Sequence, residues 1–174
     1  VELTATELTI LGLITERPRH GYDLDQVIEQ RGIRRWAEVG FSSIYYVLTK
    51  LEGRGLIESD GAQAGAKSRR VFHATAAGRH AAKESAVTFI ADQRTVVHPV
   101  LIGLANLSLI SEEDYVDSLQ RRLIWIDERI SAVTAAERSQ APLPRPAREV
   151  FSYSLSLLEA ERSWLATRVP VSNE

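Results

Sequence analysis

Apolar residues recur at helical spacing through most of this chain, between short clusters of turn formers. Thr4-Ala5-Thr6-Glu7 has the form of a capping box, with Thr4 at the N-cap and Glu7 three residues on. Leu3 and Leu8 stand where a hydrophobic staple would, and Ile10, Leu11, Leu13 and Ile14 continue a buried helix to about Glu16. Arg17-Pro18-Arg19-His20-Gly21 breaks it. A second helix takes Asp23 and Asp25 into its first turn, where the helix dipole favours anions. Leu24, Val27 and Ile28 form its core face, and Gly32 ends it. Trp36, expected to be a lid on the small core, and Phe41 lead into a third helix.

In that third helix Ile44, Val47, Leu48 and Leu51 share one face at about 100° per residue. The opposite face carries Ser42, Tyr46, Thr49 and Gly53, flanked by Ser43, Tyr45 and Lys50. It presents hydroxyls, phenols and one ammonium and no carboxylate, which a groove of DNA would accept; Glu52 stands at its edge. Ser42 or Ser43 is expected to cap the N-terminus, and Gly55 supplies a left-handed stop. Taken alone, such a helix reads more readily as an ordinary amphipathic surface helix. The residues after it change the balance. Leu56 to Asp60 suits a short strand, residues 61–66 are a glycine- and alanine-rich turn, and Lys67-Ser68-Arg69-Arg70 leads into a second strand at Val71-Phe72-His73-Ala74. Helix, strand, turn and basic strand make a two-stranded β wing with cations at its tip and base.

The ordered set Gly12-Leu13, Arg19-His20-Gly21-Tyr22, Phe41-Ser42-Ser43-Ile44-Tyr45, Leu48, Leu51-Glu52, Gly55-Leu56-Ile57, Arg69-Arg70-Val71-Phe72 and Thr75-Ala76-Ala77-Gly78-Arg79 resembles the PadR family of bacterial transcriptional regulators. The resemblance spans roughly the first 80 residues. It implies a winged helix-turn-helix that reads DNA, a homodimer built by the C-terminal helices, action as a repressor, and in many members a response to small aromatic compounds. One departure stands out: many members carry proline where this chain has Tyr46.

Beyond the wing, Thr75 is expected to cap a helix that runs through Gly78 to at least Ala86. Val87 to Ile90 would also suit a strand, but continuation of the helix is expected. Pro99 suits the first turn of a short apolar helix through Leu107. Ser111 followed by Glu112, Glu113 and Asp114 is a strong helix start. From there Val116, Leu119, Leu123, Ile126, Ile130 and Val133 form a seam, which serves an antiparallel pair within the chain at least as well as a coil between chains. Ala141-Pro142-Leu143-Pro144-Arg145-Pro146 is a stiff break. The final helix, about Ala147 to Thr167, has two apolar rows: Val150, Tyr153, Leu157, Ala160 and Trp164, and Phe151, Leu155, Leu158 and Leu165. A helix apolar on two sides needs two partners. Leu123, Ile126, Ile130, Tyr153, Leu157 and Trp164 are the candidate dimer contacts.

Composition adds limits. The chain is 174 residues long, 44% hydrophobic and 25% charged, enough for a real core. It has no cysteine, which excludes thiolate metal sites and fits a reducing, cytoplasmic setting. No apolar run approaches the ~20 residues of a membrane span. Net charge is −2, but residues 1–83 hold 12 Lys/Arg against 10 Asp/Glu and residues 84–174 hold 9 against 13. A mildly basic half joined to an acidic half suits a DNA reader with a separate assembly module. His20, His73, His80 and His98 form no local metal or triad pattern, and no glycine loop opens a helix as a phosphate loop would. No enzyme, cofactor or metal is expected.

The expectation is therefore a mainly α chain with a winged helix-turn-helix over 1–84 and a helical dimerisation domain over 85–174. It would bind operator DNA through Ser42, Ser43, Tyr46, Thr49 and Lys50. Tyr45 would meet a phosphate or pack the turn, and Lys67, Arg69 and Arg70 would hold phosphates. The rival reading is a protein–protein interaction module that keeps the winged fold without reading DNA, which the sequence pI near 6.1 favours slightly.

Overall fold

The computed structural model describes residues 2–35, 37, 40–60 and 70–169, without the side chains of Arg35, Phe41 and Ser42. The chain forms two compact units, Val1–Arg94 and Thr95–Glu174.

In the first unit, α1 (Ala5–Glu16), a two-residue strand β1 (Arg19–His20), α2 (Gly21–Gln30) and α3 (Phe41–Gly53) precede β2 (Ile57–Ser59), β3 (Val71–Ala74) and α4 (Ala76–Ile90). Both halves of the Thr4–Glu7 capping box form: the Glu7 amide donates to Thr4 Oγ1 at 3.2 Å and the Thr4 amide to Glu7 Oε2 at 2.8 Å. Leu3 is buried and Leu8 packs against the core, as a staple requires. Ile10, Leu11, Ile14, Leu24, Ile28, Ile44, Leu48 and Leu51 fill the space between α1, α2 and α3. Gly32 and Gly55 take positive φ, 63° and 67°, and end α2 and α3 without a Cβ clash.

The wing strands belong to a three-stranded antiparallel sheet, in the order β1-β3-β2. Arg19 faces Phe72 and His20 faces Val71 on one side of β3, while Ile57, Glu58 and Ser59 face Ala74, His73 and Phe72 on the other. The strand at Arg19–His20 replaces part of the break expected there. It is too short to carry a periodicity; its pairing depends on β3, some fifty residues away. Arg19 is buried nonetheless, its Nε donating to the Leu13 carbonyl at 3.0 Å and its Nη2 reaching Glu16.

After β3 the Thr75 hydroxyl accepts from the Gly78 amide at 3.0 Å and lies 2.8 Å from the Gly55 carbonyl, capping α4 and tying it to the end of α3. α4 runs unbroken across the boundary expected at residue 84. Val87 to Ile90 are helical rather than extended.

In the second unit α5 (Pro99–Ala105) and a 3-10 turn (Leu107–Leu109) lead to α6 (Glu112–Ser139) and α7 (Arg145–Ala166). The short apolar helix thus stops before Leu107. The Ser111 hydroxyl accepts from the Asp114 amide at 3.0 Å, as its N-cap position requires. α6 and α7 pack on each other around Leu119, Ile126 and Leu165, with Leu123, Ile130, Leu158 and Trp164 at the margin. Arg122–Glu161 and Asp127–Arg162 link them, each at 2.5 Å. The seam is therefore spent within the chain. Ile126, expected between subunits, is fully buried inside one chain, and Leu123, Ile130 and Trp164 flank it. Tyr153 and Leu157 lie on the other row and are exposed, as are Ile124 and Trp125 of α6.

Candidate nucleic-acid interface

α3 buries the face its spacing marks out: Ile44, Val47, Leu48 and Leu51 are all within the core. Its N-cap is Gly40, not either serine. The helix begins at Phe41, so Ser42 and Ser43 fall in its first turn, and Ser43 Oγ donates back to the Gly40 carbonyl at 2.5 Å. The Ser42 side chain lies outside the described residues.

On the outer face Tyr46 is 69% exposed. Thr49 is also exposed, its hydroxyl donating to the Tyr45 carbonyl at 3.0 Å, which leaves the oxygen free to accept. Tyr45 sits between surface and core. Its ring lies against the start of α2, where a Cβ added at Gly21 would stand 2.9 Å from Tyr45 Cε1. Glycine at position 21 is what lets α2 and α3 approach so closely.

Two ion pairs flank this face. Lys50 Nζ lies 2.8 Å from Glu7 Oε1, and Arg54 Nη1 lies 3.3 Å from the same oxygen. The Glu7 side chain is only 2% exposed. Burial pushes its carboxyl up, but hydrogen bonds from Lys50 and the Thr4 amide, with the charges of Lys50 and Arg54, outweigh burial and hold it below the ordinary value. On the other flank Arg70, at the base of the wing, pairs with Glu52 and bonds Ser59, and its guanidinium lies 5.4 Å from the centre of the Phe72 ring. Lys50 and Glu52 stand two positions apart, about 200° around the helix, so the pairs grip α3 from opposite sides.

The fold thus brings Ser43, Tyr46, Thr49 and Lys50 onto one helix face, with Arg70 at its side. Lys67 and Arg69, and Trp36 before the helix, lie outside the described residues. Sequence reading missed the pairing partners. Glu7 was legible as a cap, but nothing in local spacing signals that the same carboxylate holds Lys50. Glu52 was legible only as a charge at the edge. Tyr22, 56% exposed at the start of α2 and bonded by Gln26 at 2.8 Å, carries no signal of its own beyond its place after the turn.

Beside the Lys50–Glu7 pair lies an open cavity of about 510 Å³, whose walls include Leu3, Lys50, Arg54, Phe89 and Arg94. Among the described residues no group of His, Cys, Asp and Glu could hold a metal ion. Among the described residues no helix is long and apolar enough to cross a membrane.

Residues 10–84 match the model of the transcriptional regulator PadR-like family. No curated protein matches the chain. Among solved structures, Bacillus subtilis PadR in complex with operator DNA is 22% identical at a TM-score of 0.73, with 92% of this chain and 95% of that one covered. The same protein in complex with p-coumaric acid is 21% identical at a TM-score of 0.77, covering 94% and 96%. The Vibrio cholerae virulence activator AphA is 19% identical at a TM-score of 0.71, covering 94% and 95%. At such identities the likeness is one of fold.

Proposed function

We propose that this chain is a sequence-specific DNA-binding repressor that acts as a homodimer, a reading supported by the match of residues 10–84 to the model of the transcriptional regulator PadR-like family. The observation that carries this reading is the outer face of α3: exposed Tyr46 and Thr49, free of carboxylates, beside a wing base that holds Arg70. Two such helices, one from each subunit, would enter successive major grooves ~34 Å apart. Ser42, Ser43, Tyr46, Thr49 and Lys50 meet base edges and nearby phosphates. Lys67, Arg69 and Arg70 hold the backbone, which adds affinity and register but little sequence information.

Dimerisation uses the row of α7 that α6 leaves bare, with Tyr153 and Leu157 at its centre. The complex of Bacillus subtilis PadR with p-coumaric acid supports a small aromatic acid as effector.

The test is a salt titration of binding to random duplex, followed by sequencing of genomic DNA retained by the protein. A steep fall of log affinity with log salt and one enriched palindromic site are expected. A flat salt dependence would instead favour a winged-helix module that binds protein.

A further inference from the structure

Resting on that reading, we propose that Glu7 and Glu52 hold down the protein's affinity for DNA of any sequence, by occupying Lys50 and Arg70 in the unbound state. Lys50 and Arg70 are the described cations at the two flanks of the outer α3 face, and each is paired with a carboxylate of the protein itself. Lys50 is 44% exposed and Arg70 29%, so solvent and ligand reach both. The carboxylates are not free to follow them outward. Glu7 is locked into the first turn of α1 by the Thr4 amide, and Glu52 is fixed on α3 and bonded by the Ser59 hydroxyl. A phosphate must therefore take each cation away from an anchored anion.

Sequence-independent binding is almost wholly a matter of cations meeting phosphates. Exchanging one ion pair for another gains little where both are partly solvated. Each carboxylate thus cancels most of what its cation would contribute to holding a random duplex. Glu7 also takes part of Arg54 out of play.

The test uses the full chain and a random duplex of fixed length, with affinity measured from low to moderate salt. Glu52→Gln and Glu7→Gln should each bind more tightly than the unaltered protein. Each should also steepen the log-affinity against log-salt line by about 0.9 per released cation. Glutamine at position 7 still fits a capping box, so the fold is retained, and a thermal melt checks it. Neutralising Glu58, an exposed carboxylate on β2 outside both pairs, controls for the bare loss of charge and should change the slope less. Adding Lys50→Ala and Arg54→Ala to Glu7→Gln, or Arg70→Ala to Glu52→Gln, should cancel the gain. A steep slope for the unaltered chain with no gain in either glutamine variant would overturn the masking role alone. A flat slope in every protein would overturn the DNA-binding reading with it. A gain equal to that of Glu58→Gln, or one that survives loss of the cation, would also overturn the masking role.

Discussion

Gly78 lies so close over Leu56 that a Cβ built on it would stand 1.9 Å from the Leu56 carbonyl oxygen. That oxygen also accepts from the Thr75 amide at 3.1 Å. The start of α4 therefore docks backbone to backbone on the segment between α3 and β2, and only glycine allows it. Gly78→Ala should lower the stability of the first unit by at least the 1–3 kcal/mol typical of overpacking, because the obstacle is main chain and cannot rotate aside. Urea unfolding followed by circular dichroism measures this, and an unchanged midpoint would mean that α4 can shift at no cost.

Tyr46→Ala should leave stability within about 0.5 kcal/mol of the parent, as expected for an exposed side chain. At the cognate site it should cost on the order of 1–3 kcal/mol, the range of a specific base contact. Binding to random duplex should barely change. A lowered melting temperature with the specificity ratio intact would make Tyr46 a structural residue.

Leu157→Arg should give a folded monomer. Leu157 is exposed on the α7 row that faces away from α6, so the charge disturbs no packing within the chain. Sedimentation at micromolar concentration reads the outcome. Ile126→Arg should instead unfold the α6–α7 pair, since that side chain is buried between them. Equal behaviour of the two variants would put the assembly surface elsewhere.

Glu16 should contribute to stability only above acidic pH. Burial raises its carboxyl, but two bonds from Arg31 at 2.8 and 2.9 Å, with the charges of Arg31 and Arg19, outweigh this and lower it. A carboxyl that titrates lower when folded stabilises the fold above its unfolded value and loses that contribution as pH falls through the folded one. The difference in urea midpoint between the parent and Glu16→Gln should therefore be largest near neutrality and shrink below about pH 4.5, the ordinary value of the group. A difference that grows on acidification would contradict the pairing.

The helices were readable wherever a cap and a periodic apolar face coincide, as at Thr4 with Ile10 and Leu11, or Ser111 with Leu119 and Ile126. The wing was readable because turn residues separate two short strands. Three features were not. The strand at Arg19–His20 has no pattern of its own and exists only because Val71 and Phe72 offer an open edge. The N-cap at Gly40 lost to serine in sequence reading because propensity favours a hydroxyl, whereas Ser43 reaches Gly40 from inside the first turn. The partners of Lys50 and Arg70 were invisible since a charge pair between distant segments leaves no local mark. In the second unit the seam of α6 could be seen but not its owner. A heptad says that a helix needs a partner, and only the packing of Leu165 against Leu119 and Ile126 shows that the chain supplies it.

The position of β3 between β1 and β2 has a consequence for solubility. A surface proposed to meet a duplex has to stay clear of covering helices, and a hairpin left there would offer foreign strands a row of unpaired amides and carbonyls. Here β3 is paired on both sides, and the borders left are only the two residues of β1 and the three of β2. The β2 border carries Glu58, whose charge faces water. Short margins, one of them charged, are a poor template for growth of a sheet from one molecule to the next, so the outer face of α3 can stay bare without inviting aggregation.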